Sequence, residues 1–122
     1  MNDEMIRYIK SILIELGLSP ALIGYHYLAQ CVYLCWQEPK RLHSLVTDVY
    51  GEVAKQNDTT YQRVERNIRH AVRAFADRNR VQSLNRLFGV KLYNLGDYPP
   101  NGELIGYLAE YAHLHFPDDL HR

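Results

Sequence analysis

Between Ala21 and Trp36 the chain places apolar side chains on every face of a helix: Leu22, Ile23, Tyr25, Tyr27, Leu28, Cys31, Val32, Leu34 and Cys35. A helix that is apolar all round has no side to offer water, so other elements must enclose it. The rest of the chain therefore has to wrap one central helix. Alternating β-branched stretches, the mark of half-buried strands, are nearly absent, Val90 to Tyr93 being the one candidate. These patterns predict an all-α fold. With 122 residues, 47% of them apolar and 23% charged, the chain has the size and composition of one globular domain with a single core, residues 1–122.

Punctuation marks the remaining helices. Met5, Ile9, Ile12, Leu13 and Leu16 recur at helical spacing and Gly17 stops them. Ser19-Pro20 reads as an N-cap followed by proline at the first helical position of the central helix. Pro39 opens a stretch with a stripe of Leu42, Leu45, Val46, Val49, Val53 and Ala54, whose last part, Val49 to Gln56, is a short helix. A second amphipathic helix follows the turn Asn57-Asp58-Thr59-Thr60. Arg78-Asn79-Arg80 breaks it, and a short helix from Val81 to Phe88 runs to Gly89. Asn101 reads as the cap of a last helix carrying Leu104, Ile105, Leu108 and Tyr111. Six helices result.

Charge sorts the six. The formal net charge of zero hides an uneven distribution: residues 1–60 carry −2, 61–100 carry +5 and 101–122 carry −3. Seven of the 14 basic residues lie between Tyr61 and Arg86; all seven are Arg, and only Glu65 and Asp77 oppose them there. At about 100° per residue from Val64, the apolar Ile68, Ala71, Val72 and Phe75 gather on one side of the helix. Gln62, Arg63, Arg66, Arg69, His70 and Arg73 gather on the other, with Glu65 on the shoulder. Arginine grips phosphate and the guanine edge bidentately. A short helix, a tight turn and a longer two-faced helix form the helix-turn-helix order, in which the second helix enters the major groove. A solvated arginine face is the competing account. Three details favour the first: every cation in the helix is Arg, the cations lean toward its N-terminal half, and the turn before it offers Thr and Asn to phosphate.

Other chemistries find little support. Cys31 and Cys35 share a helix face, a poor geometry for a disulfide, and read as buried free thiols of a reducing, cytoplasmic setting. His113-x-His115 with His121, Asp118 and Asp119 reads as a solvated tail rather than a metal site, and no metal or other cofactor is expected. No phosphate-cradling glycine loop, nucleophile elbow or HExxH occurs, so the chain is not expected to be an enzyme. There is no membrane-length apolar run and no signal peptide. The tyrosines Tyr25, Tyr27 and Tyr33, on the most apolar helix, belong to the core.

Several stretches carry a family resemblance. Thr59-Thr60, Arg63-Val64-Glu65-Arg66 and Ile68-Arg69-His70-Ala71 resemble the recognition helix of the C-terminal DNA-binding effector domain of the sporulation initiation (stage-zero) response regulator family. Ile12 to Gly17, Ile23 to Leu28, Ser83 to Gly89 and Pro100 to Ile105 are similar to its other helices, in the same order over about 100 residues. The resemblance implies a six-helix bundle containing a helix-turn-helix without a wing. It also implies a transcription regulator that reads a short asymmetric box, TGTCGAA or close to it, in double-stranded DNA, with copies arranged head to tail as a homodimer on tandem sites.

Carried over by position, the resemblance makes Arg63, Glu65 and Arg66 base readers, a set whose chemistry suits guanine and cytosine. Arg69 and His70 face phosphate with the Thr59-Thr60 turn, and Arg73, on the same face, joins them. Tyr61, Gln62 and Asn67 stand where the family has smaller residues, and Gln62 adds a possible adenine contact. The Val81–Phe88 helix resembles the part that approaches the RNA polymerase sigma factor. The family's regulator also has an N-terminal receiver domain; here about four residues precede the first helix, so no receiver domain is expected within these residues. The alternative is a free-standing interaction module that pairs with a full-length regulator without itself acting on DNA.

Overall fold

The computed structural model describes residues 2–116. Among them are six α-helices, α1 (Asp3–Leu16), α2 (Ile23–Gln37), α3 (Gly51–Gln56), α4 (Tyr61–Asp77), α5 (Val81–Phe88) and α6 (Asn101–His115), and no strand. The helix that is apolar all round is the central one. α2 packs against α1, α4 and α6 at once, and it buries eleven residues, from Gly24 to Trp36. Tyr25, Tyr27 and Tyr33 are buried as expected. Burying a large apolar side chain stabilises by about 1.5–3 kcal/mol, so a helix enclosed on all sides dominates the energetics. α6 is tied to its C-terminal end by Trp36, whose Nε1–H donates to the Phe116 carbonyl at 3.0 Å. Cys31 and Cys35 are free and buried, and burial pushes the Cys35 thiol up to about 11.

Four local expectations are corrected. α2 begins at Ile23, not after Ser19-Pro20: Ser19 Oγ accepts from the Ala21 N–H at 3.3 Å and closes a turn, leaving Leu22 as the cap. Asn101 does not cap α6. It is already helical, Pro100 holds the cap position, and the Asn101 amide points at α4 instead. The Leu42–Ala54 stripe is broken into a 3₁₀ helix (Pro39–Ser44), a π-helical stretch (Leu45–Tyr50) and α3. The wider π turn shifts the register by about one residue; Val49, Val53 and Ala54 stay buried while Val46 is turned outward. Finally, Val90–Tyr93 forms no strand. The Asn85 side chain takes the place of a strand partner, accepting from the N–H groups of Leu92 (2.7 Å) and Tyr93 (3.0 Å) and donating to the Tyr93 carbonyl (2.7 Å).

The turn between α3 and α4 is held by its own chemistry. Asp58 adopts φ +54°, and the Thr59 N–H returns to the Ala54 carbonyl at 2.9 Å, the backbone pattern of a left-handed helix stop. Asn57 donates from Nδ2 to Gln30 Oε1 (2.6 Å) and to the Val53 carbonyl (2.7 Å), fastening the turn to α2. A left-handed position costs an L-residue about 1–2 kcal/mol, less for Asp, while glycine gives back about 0.5–1 kcal/mol through its freer unfolded chain. Asp58→Gly is therefore expected to raise stability by about 0.5 kcal/mol in a denaturant melt, with no loss of affinity for any nucleic acid met by the turn.

Candidate nucleic-acid interface

α4 has the two faces read from its sequence. Val64, Ile68, Ala71, Val72 and Phe75 are at most 1% exposed and face α2, whereas Gln62, Arg63, Arg66, Arg69, His70 and Arg73 are all exposed. Thr60 starts the helix: its Oγ1 accepts the Arg63 N–H at 3.3 Å. This satisfies one of the open N–H groups at the helix start and leaves the hydroxyl hydrogen to donate elsewhere. Thr59 is half-buried beside it. The order α3, four-residue turn, α4, with α3 packed on α4, is that of a helix-turn-helix.

Glycine permits the closeness of this packing. An ideal Cβ on Gly24, in the first turn of α2, would lie 2.0 Å from the Asn67 carbonyl oxygen in the middle of α4. The backbones of the central helix and the arginine helix thus meet where no side chain intervenes.

Six of the seven arginines divide into two groups. Arg63, Arg66, Arg69 and Arg73 line the exposed face of α4. Arg78 and Arg80, in the α4–α5 turn, reach back to the C-terminal end of α1: Arg78 Nη2 donates to the Gly17 carbonyl, and Arg80 donates from Nε to Leu16 (3.1 Å) and from Nη2 to Glu15 (3.5 Å). α1 has no basic residue in its own last turn, so these guanidinium groups supply the cations that a helix C-terminus favours. The charge excess of residues 61–100 therefore has a structural part and an exposed part. Spacing along the chain cannot separate them, because the partner of Arg78 and Arg80 lies more than 60 residues away. Arg86 is exposed on α5.

Glu65 is brought to Arg69 as an i, i+4 ion pair, both side chains partly exposed. Exposed pairs of this kind contribute about 0.2–1 kcal/mol, weak enough for a competing phosphate to open. The Glu65 carbonyl accepts from Asn101 Nδ2 at 3.0 Å, which joins the start of α6 to α4. The connection before α6 then runs along the same edge. Tyr98 lies with its ring 4.8 Å from the Arg73 guanidinium carbon, and its Oη donates to Asp77 Oδ1 at 2.5 Å. The hydrogen bond to that carboxylate, and its charge, raise the Tyr98 phenol above its ordinary value. Between loop and helix lies a groove of about 280 Å³ lined by Glu65, Arg69, Val72, Arg73, Tyr98, Pro99, Pro100 and Asn101. Sequence reasoning missed Tyr98 and Asn101. The Tyr-Pro-Pro-Asn run announces a rigid connection, but nothing in it says which helix the connection crosses.

His121, Asp118 and Asp119 lie outside the described residues. His113 and His115 are on the last turns of α6, where the His115 ring packs on Tyr111 at 4.1 Å between centroids. Among the described residues no three His, Cys, Asp or Glu side chains are grouped to hold a metal, and no helix is long and apolar enough to cross a membrane.

A helical domain with a short helix and tight turn ahead of an arginine-faced helix is the architecture of a helix-turn-helix DNA-binding domain. The chain matches the family described as Sporulation initiation factor Spo0A C terminal over residues 9–112, and it belongs to that family. Its members are DNA-binding effector domains of transcription regulation in sporulation, a regulatory rather than an enzyme family. The match runs from within α1 into the last turn of α6, so it takes in the whole of α4 and the connection carrying Tyr98.

Proposed function

We propose that this chain is a cytoplasmic, sequence-specific transcription regulator that lays α4 in the major groove of a TGTCGAA-like box in double-stranded DNA. The observation that carries the reading is the exposed face of α4, four arginines, a glutamine and a histidine on a helix whose N-terminus is capped by Thr60. Arg63 and Arg66 reach guanine O6 and N7, Gln62 an adenine, and Glu65 a cytosine N4. For Glu65 this requires an exchange. Its carboxylate leaves Arg69, and Arg69 turns to a phosphate. His70, Arg73 and the Thr59-Thr60 turn complete the backbone contacts. From Gln62 to Arg73 the face spans eleven residue steps, about 16 Å of helix, or about five base-pair steps. One α4 therefore reads part of one short box. Successive copies are placed head to tail on tandem boxes, and the exposed side of α5, with Gln82 and Arg86, is left toward the sigma factor.

A gel shift with a duplex containing TGTCGAA and with a scrambled duplex, at 50 and 200 mM salt, tests the reading. Preference for the box, with affinity falling about 10-fold or more over that range for the two arginine–phosphate contacts of Arg69 and Arg73, is the expected result. Equal weak binding to both duplexes, with retained pairing to a full-length regulator of the family, would favour the interaction-module alternative.

A further inference from the structure

The same helix offers two acid–arginine pairs at i, i+4 spacing, and only one of them forms. Glu65 and Arg69 make an ion pair; Arg73 and Asp77, about two turns further on, do not. Tyr98 stands between the second two. Its ring lies under the Arg73 guanidinium, and its hydroxyl occupies the Asp77 carboxylate at 2.5 Å. The segment that follows the tyrosine is held in place: Pro99 is buried, and Asn101 is bonded to the α4 backbone at Glu65. The Tyr-Pro-Pro segment is rigid by covalent constraint, since each proline fixes its own φ and restricts the residue before it.

We propose that Tyr98 is a positioning residue of the DNA-binding face, which keeps Arg73 from collapsing onto Asp77 and presents its guanidinium to a phosphate. The proposal rests on the DNA-binding reading above and adds a residue outside the helix-turn-helix to it. Two effects combine. An Arg73–Asp77 pair would draw the cation along the helix toward its C-terminal end and cancel its charge where a phosphate has to be met. A guanidinium stacked on a tyrosine ring keeps its N–H edges outward, because the ring takes only the planar face. Asp77, the one carboxylate at the far end of this face, is at the same time capped by a neutral donor. The reading face ends at Arg73 for this reason, not because the helix ends there.

The test is a set of anisotropy titrations of the full chain and its variants on the TGTCGAA duplex and a scrambled duplex, over a range of salt. Tyr98→Ala is expected to weaken binding to both about 3- to 10-fold, as for the loss of one ordered side chain, and to reduce the salt slope by about one unit. Arg73→Ala should do the same. The double variant should be no weaker than Arg73→Ala alone, and adding Asp77→Asn to Tyr98→Ala should restore most of the loss, since no acid is left to capture the arginine. Tyr98→Phe, which keeps the ring and frees Asp77, should fall between wild type and Tyr98→Ala. Thermal melts establish that each variant is folded at the temperature used. An unchanged salt slope in Tyr98→Ala, an equal loss with Arg73→Ala already present, or no rescue by Asp77→Asn would overturn the proposal. If the unaltered chain binds neither duplex, the DNA-binding reading itself falls; if it binds and the variants show no coupling, only the role of Tyr98 does.

Discussion

Gly24→Ala is expected to lower the melting temperature by about 5–15 °C, the equivalent of about 1–3 kcal/mol of overpacking. Helix propensity alone argues the other way, since alanine is favoured over glycine in a helix interior by about 1 kcal/mol. Geometry decides. The added Cβ would sit 2.0 Å from the Asn67 carbonyl oxygen and 2.6 Å from its carbon, and a backbone carbonyl cannot swing aside as the end of a flexible side chain can. α2 and α4 must separate or tilt. Gly106→Ala is the control: its Cβ would meet only the tips of Leu42, at 3.9 Å or more, so that change in α6 should be neutral or stabilise by up to about 1 kcal/mol. Because Asn67 lies in the middle of α4, the cost of Gly24→Ala extends to function. Well below its melting point the variant should still bind the duplex more weakly than wild type, while Gly106→Ala binds normally. A Gly24→Ala chain that melts at the wild-type temperature would show that the helices have room the structure does not give them.

The contrast between these glycines also shows where the sequence is legible. Helix type and facing follow from period, and period is set by neighbours three and four residues apart. The enclosed α2 and the two faces of α4 could therefore be read directly, and Val64, Ile68, Ala71, Val72 and Phe75 are buried as their spacing requires. What could not be read depends on partners distant in sequence. Ser19 and Asn101 have the chemistry of helix caps, yet one closes a turn and the other bonds to α4 36 residues away. Arg78 and Arg80 look like continuations of the arginine face until the carbonyls at the end of α1 are seen beside them. Tyr98 gives no local signal of its place against Arg73 and Asp77. The candidate site was legible as a face of one helix, and its support from the α6 connection was not.

That division of the arginines makes the last prediction a comparison among equal changes in charge. Arg63→Ala is expected to cost about 1–3 kcal/mol on the TGTCGAA duplex and to relax preference at one base, with less effect on the scrambled duplex. The helix start should survive the change, because it is the Arg63 backbone N–H, not its side chain, that Thr60 accepts. Arg69→Ala is expected to weaken binding to both duplexes alike and to lower the salt slope by about one unit. It also removes the partner that Glu65 has in the free chain, and leaves its carboxylate to the cytosine contact assigned to it. Adding Glu65→Gln, which removes that cytosine contact, should weaken binding to the box further and leave the scrambled duplex little changed. Arg78→Ala removes the same unit of charge from the same stretch of sequence, but from the end of α1, where its guanidinium holds the Gly17 carbonyl. Its effect should appear in the melting temperature and not in the salt slope. If the Arg69 and Arg78 changes lower the slope equally, the chain meets DNA through its overall field rather than through contacts at α4. If neither Arg63→Ala nor Arg69→Ala alters binding to the box, the roles assigned along the helix are wrong.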